Sequence, residues 1–210
     1  STAGRSETRA TGCIIEGMTI IAVQKTTTGI LMGADNRTSD GARLLMRATP
    51  KIYQISPHVV MGSSGHVRIA DIVRRNSITF PTRVHGKPLE YPYANQDYGQ
   101  LIGEWFRDVL KDEPKDARYC AIVAAHNEIY DIGPGGSVGQ IAGNYHSSGS
   151  GELVALGALY AWNNSLVFQR DAPMLPCPEL AKEGLTMALD ACAAHVEAIT
   201  PPWSFIESVA

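Results

Sequence analysis

The chain has 210 residues, 44% hydrophobic and 19% charged, with a formal net charge of -3 at neutral pH. This is the balance of a soluble globular protein with enough apolar surface for a sizeable core. It excludes a nucleic-acid role driven by bulk electrostatics, because no strongly basic field exists to release counterions. The four cysteines, Cys13, Cys120, Cys177 and Cys192, show neither CxxC pairing nor metal-ligand spacing, so they read as reduced thiols in a cytoplasmic or otherwise reducing compartment. The longest apolar run is too short to span a bilayer.

Residues 1–17 begin polar, and the apolar stretch that follows is interrupted by Glu16 and Gly17. They do not form a signal peptide and read as an extension, a propeptide or a foreign remnant ahead of a domain at 18–210. Thr19–Val23 and Ile30–Ala34 are apolar, β-branched runs joined by a polar turn ending in Gly29, which predicts a hairpin. Leu44–Arg47 and Ile52–Ile55 continue as strands around Pro50, and a strand from Val59 ends in Gly62-Ser63-Ser64-Gly65. From His66 to about Thr79 the apolar positions recur with helical period. Pro81 to Pro92 is proline-rich and predicts a surface loop, and Asp97 to Lys111 predicts a second helix through Leu101, Ile102, Trp105 and Phe106.

Tyr119–Ala125 and Glu128–Ile132 form a second hairpin around His126-Asn127, and Pro134-Gly135-Gly136-Ser137 turns the chain toward Ile141, Ala142 and Tyr145. Gly149-Ser150-Gly151 precedes a helix from Glu152 to about Trp162, Pro178 opens another to about Ala198, and Trp203–Val209 reads as one closing strand. Strands in two blocks, each followed by helices, give an α+β layered domain rather than a doubly wound parallel sheet.

Thr19, Asp35 and Lys51 stand sixteen and sixteen residues apart, each on or beside one of these strands. A hydroxyl, a carboxylate and an ammonium brought together make a threonine nucleophile feasible, with the carboxylate holding the lysine. The base that such a centre still needs is the α-amine of Thr19, if the chain is cut just before it. An α-amine titrates near ~8 and accepts a proton at neutral pH.

Met18-Thr19-Ile20-Ile21-Ala22-Val23, Gly33-Ala34-Asp35-Asn36-Arg37, Pro50-Lys51-Ile52-Tyr53-Gln54-Ile55 and Gly135-Gly136-Ser137-Val138 followed by Ser148-Gly149-Ser150-Gly151 together resemble the proteasome β-subunit type of N-terminal nucleophile hydrolases. The resemblance runs from about Met18 to Val209. It implies a four-layer αββα sandwich of two antiparallel sheets and a threonine-type endopeptidase. By position, Thr19 would be the nucleophile, Asp35 the carboxylate, Lys51 the ammonium, Ser150 the serine near the threonine amine and Gly62 the N–H donor to the oxyanion. It also implies a homo-oligomeric ring, usually stacked, that admits unfolded polypeptide or peptide substrates and works with an ATP-dependent unfoldase. No cofactor, metal, nucleic acid or membrane is implied. The tail through Ile206-Glu207 departs from the proteasome pattern and is closer to bacterial HslV-type relatives.

The residues leave alternatives open. Thr19 is equally a strand threonine like Thr26, Thr27 or Thr28, and a register placing Met18 at the nucleophile position would make a non-catalytic structural ring subunit. Asp35 and Lys51 would persist as a structural ion pair in such a subunit. Ser150 has a complete alternative reading as the N-cap of the helix at Glu152, and Gly62 as part of a flexible turn. Gly17 precedes Met18 rather than Thr19, so loss of Met18 as an initiator would expose Thr19 directly. Ser1 and Cys13 are candidate N-terminal nucleophiles that lack the spacing to Asp35. The six histidines make no HxxxH or HExxH pair, so no metal site is expected.

Overall fold

A computed structural model describes residues 19–39, 44–46, 50–81, 83–84, 87–88, 95–113, 119–170, 175–196 and 199–209. The anticipated hairpin is β1 (Ile20–Lys25) and β2 (Gly29–Asp35), followed by the short strands β3 (Arg37–Ser39) and β4 (Leu44–Met46). β5 (Ile52–Ser56) and β6 (Val59–Gly65) lead into α1 (Val67–Asn76). Within the proline-rich stretch, β7 (Arg83–Val84) and β8 (Lys87–Pro88) pair as a small ribbon before α2 (Asn95–Val109). Then come β9 (Tyr119–Ala125), β10 (Glu128–Ile132), β11 (Val138–Ile141), β12 (Tyr145–Gly149), α3 (Glu152–Arg170), α4 (Pro178–His195) and β13 (Trp203–Val209).

Two antiparallel sheets result, one in the order β12-β1-β2-β13 and the other β11-β10-β9-β6-β5. Both are buried on both faces, and strand alternation sorts their side chains into three apolar layers. Ile20 and Ala22 of β1 face α3 and α4 with Leu159, Leu185 and Leu189. Ile21 and Val23 point the other way, meeting Met32, Val60, Ile122 and Ile129 between the sheets. Met61, Val123 and Tyr130 turn outward to Ile69, Val73, Ile102 and Phe106 of α1 and α2. The layers therefore run helices, sheet, sheet, helices, the expected αββα sandwich.

Two expectations need adjustment. α3 continues past Trp162 to Arg170 because tertiary contacts carry a sequence with poor intrinsic signal. Gln24 Nε2 donates to Asn163 Oδ1 at 2.9 Å, and the Trp162 indole occupies the space above Gly184 of α4. Tyr145–Gly149, foreseen only as the far side of a turn, is the edge strand β12. The described residues contain no helix long and apolar enough to cross a membrane. Cys120, Cys177 and Cys192 are free thiols, and Cys13 lies outside the described residues.

At the β9–β10 turn, His126 takes a left-handed conformation with φ 50. Its ring stacks on His58 at 5.8 Å and meets the edge of Tyr98 at 5.7 Å. Burial, and then the His58 charge, lower the His126 pKa below its usual 6.5. A depressed pKa means that the unfolded chain binds the extra proton more readily. His126 therefore favours folding above about pH 6.5, and that contribution is lost as pH falls through the folded-state value. In urea melts, wild-type stability should fall more steeply than that of His126→Asn as pH drops from about 7 to about 5. Asparagine keeps the left-handed turn without the titration.

Candidate active site

β1 and β2 are neighbours in one sheet, and β5 and β6 in the other, so one end of the sandwich gathers the start of β1, the end of β2 and the approach to β5. Thr19, just ahead of β1, is 4% exposed. Asp35 closes β2 and is fully buried, while Lys51 immediately precedes β5 and is 2% exposed. The Lys51 ammonium donates to both oxygens of Asp35, at 2.9 Å to Oδ1 and 2.8 Å to Oδ2. Asp35 Oδ1 also accepts the Ile20 N–H at 3.0 Å, and Oδ2 the Arg37 N–H at 3.2 Å. Four hydrogen bonds from three groups thus saturate the carboxylate, the condition under which a buried charge is tolerated. Because one oxygen binds both the ammonium and the amide of Ile20, the residue after Thr19 is fixed against Lys51. Lys51 is fixed in turn by its backbone, whose carbonyl accepts the Ser63 N–H at 3.0 Å.

The Gly149-Ser150-Gly151 segment closes the site from the β12 side. Ser150 donates twice to the Thr19 carbonyl, from its backbone N–H at 2.9 Å and from Oγ at 3.3 Å. The described partner of the Ser150 hydroxyl is thus Thr19 rather than the N-terminus of α3. Gly149 has φ 113, and any Cβ there would collide with the Thr19 carbonyl, so this approach is open only to glycine. Cys120, paired with Ser64 across β9 and β6, has its thiol pKa raised, first by burial and then by Asp131 and Glu152. It stays a protonated thiol at neutral pH and does not compete as a nucleophile.

Thr19, Asp35, Lys51 and Ser150 therefore meet, but Gly62 takes a different place. It lies within β6, opposite Ile52 of β5 and Ile122 of β9. Amides alternate direction along a strand, and the next one, Ser63, points to β5, so the Gly62 N–H points into the β9 ladder. The oxyanion role expected for Gly62 does not fit this geometry. Its missing side chain serves packing instead, since a Cβ would stand 2.9 Å from Ile21 Cγ2 and Met32 Sδ. Gly65, which the sequence reading passed over, ends β6 with φ 98. By strand alternation its N–H lies on the same side of β6 as that of Ser63. The second glycine of Gly-Ser-Ser-Gly was the available signal. Among the described residues no group of three or more His, Cys, Asp or Glu gathers as a metal would require.

Comparison with known proteins agrees with this architecture. Residues 14–77 match the family described as Proteasome subunit. BPH from Thiobacillus denitrificans, solved in complex with epoxomicin, superposes with a TM-score of 0.63 at 17% identity, covering 91% of this chain and 100% of that one. Anbu (Gly-1) mutant from Hyphomicrobium sp. strain MC1 gives 0.64 at 12% identity, with 91% and 81% covered. Eukaryotic HslV from Trypanosoma brucei gives 0.61 at 17%, with 89% and 97% covered. No curated protein sequence matches. The fold is that of the proteasome β-type N-terminal nucleophile hydrolases, and the resemblance legible in the sequence holds.

Removing one partner of the buried pair should be costly because the other charge is left uncompensated. Asp35→Asn or Lys51→Met alone should lose about 3–5 kcal/mol in denaturant melts. The double variant should recover part of that loss, giving a favourable coupling in a double-mutant cycle.

Proposed function

We propose that this protein is a threonine-type peptidase of proteasome-like architecture, in which Thr19 acts once it is the first residue of the chain. The observation that carries the reading is the Asp35 carboxylate, which binds Lys51 and the Ile20 amide through one oxygen and so holds Thr19 beside a dry ammonium. The freed α-amine takes the Thr19 hydroxyl proton as Oγ1 forms its bond to the peptide carbonyl carbon. The fixed positive charge of Lys51 favours the developing alkoxide. Collapse of the intermediate breaks the C–N bond, and the leaving amine takes the proton back. Water then attacks the ester, with the α-amine again as base, releasing the acyl product and restoring the hydroxyl.

In this mechanism Ser150 positions the backbone of Thr19, and Gly65 is the better oxyanion donor than Gly62. Substrates would be unfolded polypeptides or peptides. The working assembly would be a homo-oligomeric ring in the reducing cytoplasm, served by an ATP-dependent unfoldase. Enclosing the site in a ring keeps a peptidase of low sequence preference away from folded proteins, and one repeated interface can close such a chamber. Met18 and the residues before it block the amine in the sequence as written, which favours a second reading as an unprocessed or non-catalytic ring subunit.

Intact mass of the native protein separates the two. A chain starting at Thr19 supports the peptidase, and retention of residues 1–18 supports the second reading. With the amine free, Thr19→Ala should abolish peptide turnover while leaving the assembly unchanged by light scattering. Retained turnover in that variant would overturn the mechanism. Epoxomicin, present in the BPH structure, should inhibit the processed protein and raise its melting temperature, with no such shift in Thr19→Ala. A stable monomer across micromolar concentrations would sink the ring.

A further inference from the structure

The Gly-Gly-Ser turn has no part in the centre around Thr19, and the fold puts it to a separate use. Pro134–Gly136 presses against the last turns of α2, with Gly135 at φ 71 and Gly136 at φ 75. The contact is tight on both sides. A Cβ on Gly136 would stand 2.9 Å from Arg107 Cγ, and one on Gly103 would stand 3.1 Å from the Gly136 carbonyl oxygen. One turn earlier on α2, Gly99 is different. A Cβ there would meet Tyr130 Cε1 at 3.6 Å, an ordinary contact, so packing alone does not demand glycine. The missing side chain helps to open a recess of about 370 Å³, lined by Gly99, Gly103, Arg107, Ser137 and Gln140. That is within the size range of small-ligand sites, roughly 300–1,000 Å³.

The recess holds one cation and several neutral donors. The Arg107 Nη1 donates to the Gly136 carbonyl at 3.4 Å, and among the described residues no carboxylate pairs with this guanidinium. Lys25 and Arg68, by contrast, are paired to Glu128 and Glu113. The Ser137 hydroxyl has only a long bond to the Pro134 carbonyl, at 3.4 Å, and turns readily toward a better acceptor. A guanidinium fork with a hydroxyl beside it matches the two oxygens of a carboxylate.

We infer that the recess between α2 and the Gly-Gly-Ser turn is a carboxylate-binding site, with Arg107 as the fork and Gly99 as the opening. The ligand is a small carboxylic acid or the free C-terminus of a short peptide. The site lies on the helix-facing side of the β5–β11 sheet, across that sheet from Thr19, so it stands whether or not the peptidase assignment does.

Calorimetric titration of the intact protein with trialanine, trialanine amide and succinate tests the inference. Trialanine should bind saturably, and its amide at least about tenfold more weakly, a difference of about 1.4 kcal/mol. Binding of succinate as well assigns the carboxylate alone, and binding of trialanine only assigns a peptide terminus. Arg107→Gln should lose at least about tenfold in affinity, and Arg107→Lys should fall between, having charge without the fork. Gly99→Leu should fill the recess and abolish binding with little change in melting temperature, which keeps the test sound if the Arg107 variants fold poorly. Absence of saturable binding by both carboxylates overturns the site. So does unchanged affinity in a folded Arg107→Gln or Gly99→Leu variant.

Discussion

The Asp35–Lys51 ion pair constrains everything around it, because two charges removed from water must find each other and every remaining donor or acceptor must be met. Asp35 belongs to the sheet of β1 and β2, while Lys51 leads into β5 of the other sheet. Their contact at 2.8 Å therefore fixes how the two sheets sit on each other at this end. The apolar layer between the sheets cannot supply that precision by itself, since Ile, Val and Met side chains tolerate small slides at little cost. At the opposite end, Lys25 of β1 meets Glu128 of β10 at 3.0 Å, with both side chains partly wet. The wet pair contributes less to stability, but it lies across the same two sheets. A slippery middle is thus pinned at both ends, more rigidly where the chemistry is proposed.

The parts of the fold legible in the sequence were those where both faces of a strand carry signal. Tyr119–Ala125 and Glu128–Ile132 alternate apolar side chains between two buried layers around a His-Asn turn, and the strands fall on those residues. Asp35 and Lys51 were legible because an acid and a lysine at strand ends, inside apolar surroundings, leave few other uses for their charges. β12 was obscure for the opposite reason. Tyr145-His146-Ser147-Ser148-Gly149 lacks an apolar alternation, and its buried serines are satisfied only by partners distant in sequence. Ser147 Oγ donates to the Ile21 carbonyl at 3.0 Å, and Ser64 and Ser148 share a hydroxyl contact at 3.5 Å. Tertiary hydrogen bonds of this kind have no local sequence signature.

Glycines misled the reading for a related physical reason. Gly62 and Gly65 look alike in sequence, yet one is needed because Ile21 and Met32 fill the space of a side chain, and the other because the backbone turns to positive φ. Only the direction of the amide, set by the register of β6 between β5 and β9, separates a ladder N–H from one at a strand end. Register is a property of three strands at once, so a run of glycines and serines cannot reveal it. Ser150 shows the same limit. A serine two residues before a helix suggests a cap, and the cap is displaced because the Thr19 carbonyl is closer to hand.

Under the proposed mechanism, the hydrogen bonds of Thr19 have a consequence for how the centre would mature. Its carbonyl is held by two donors from Ser150, and the amide of the next residue is held by Asp35. None of these contacts uses the Thr19 nitrogen. Cleavage of the bond before Thr19 would expose the amine while leaving every one of them in place, so the backbone that carries the hydroxyl and the new base would stay where Asp35 and Ser150 hold it. Alignment fixed in advance spares the reaction the entropy of assembling its groups. The same contacts explain why a buried ion pair, often no better for stability than apolar packing, is a sensible foundation here. It places one backbone segment rigidly at the edge where two sheets meet, and leaves the nitrogen of that segment as the one group still to be released.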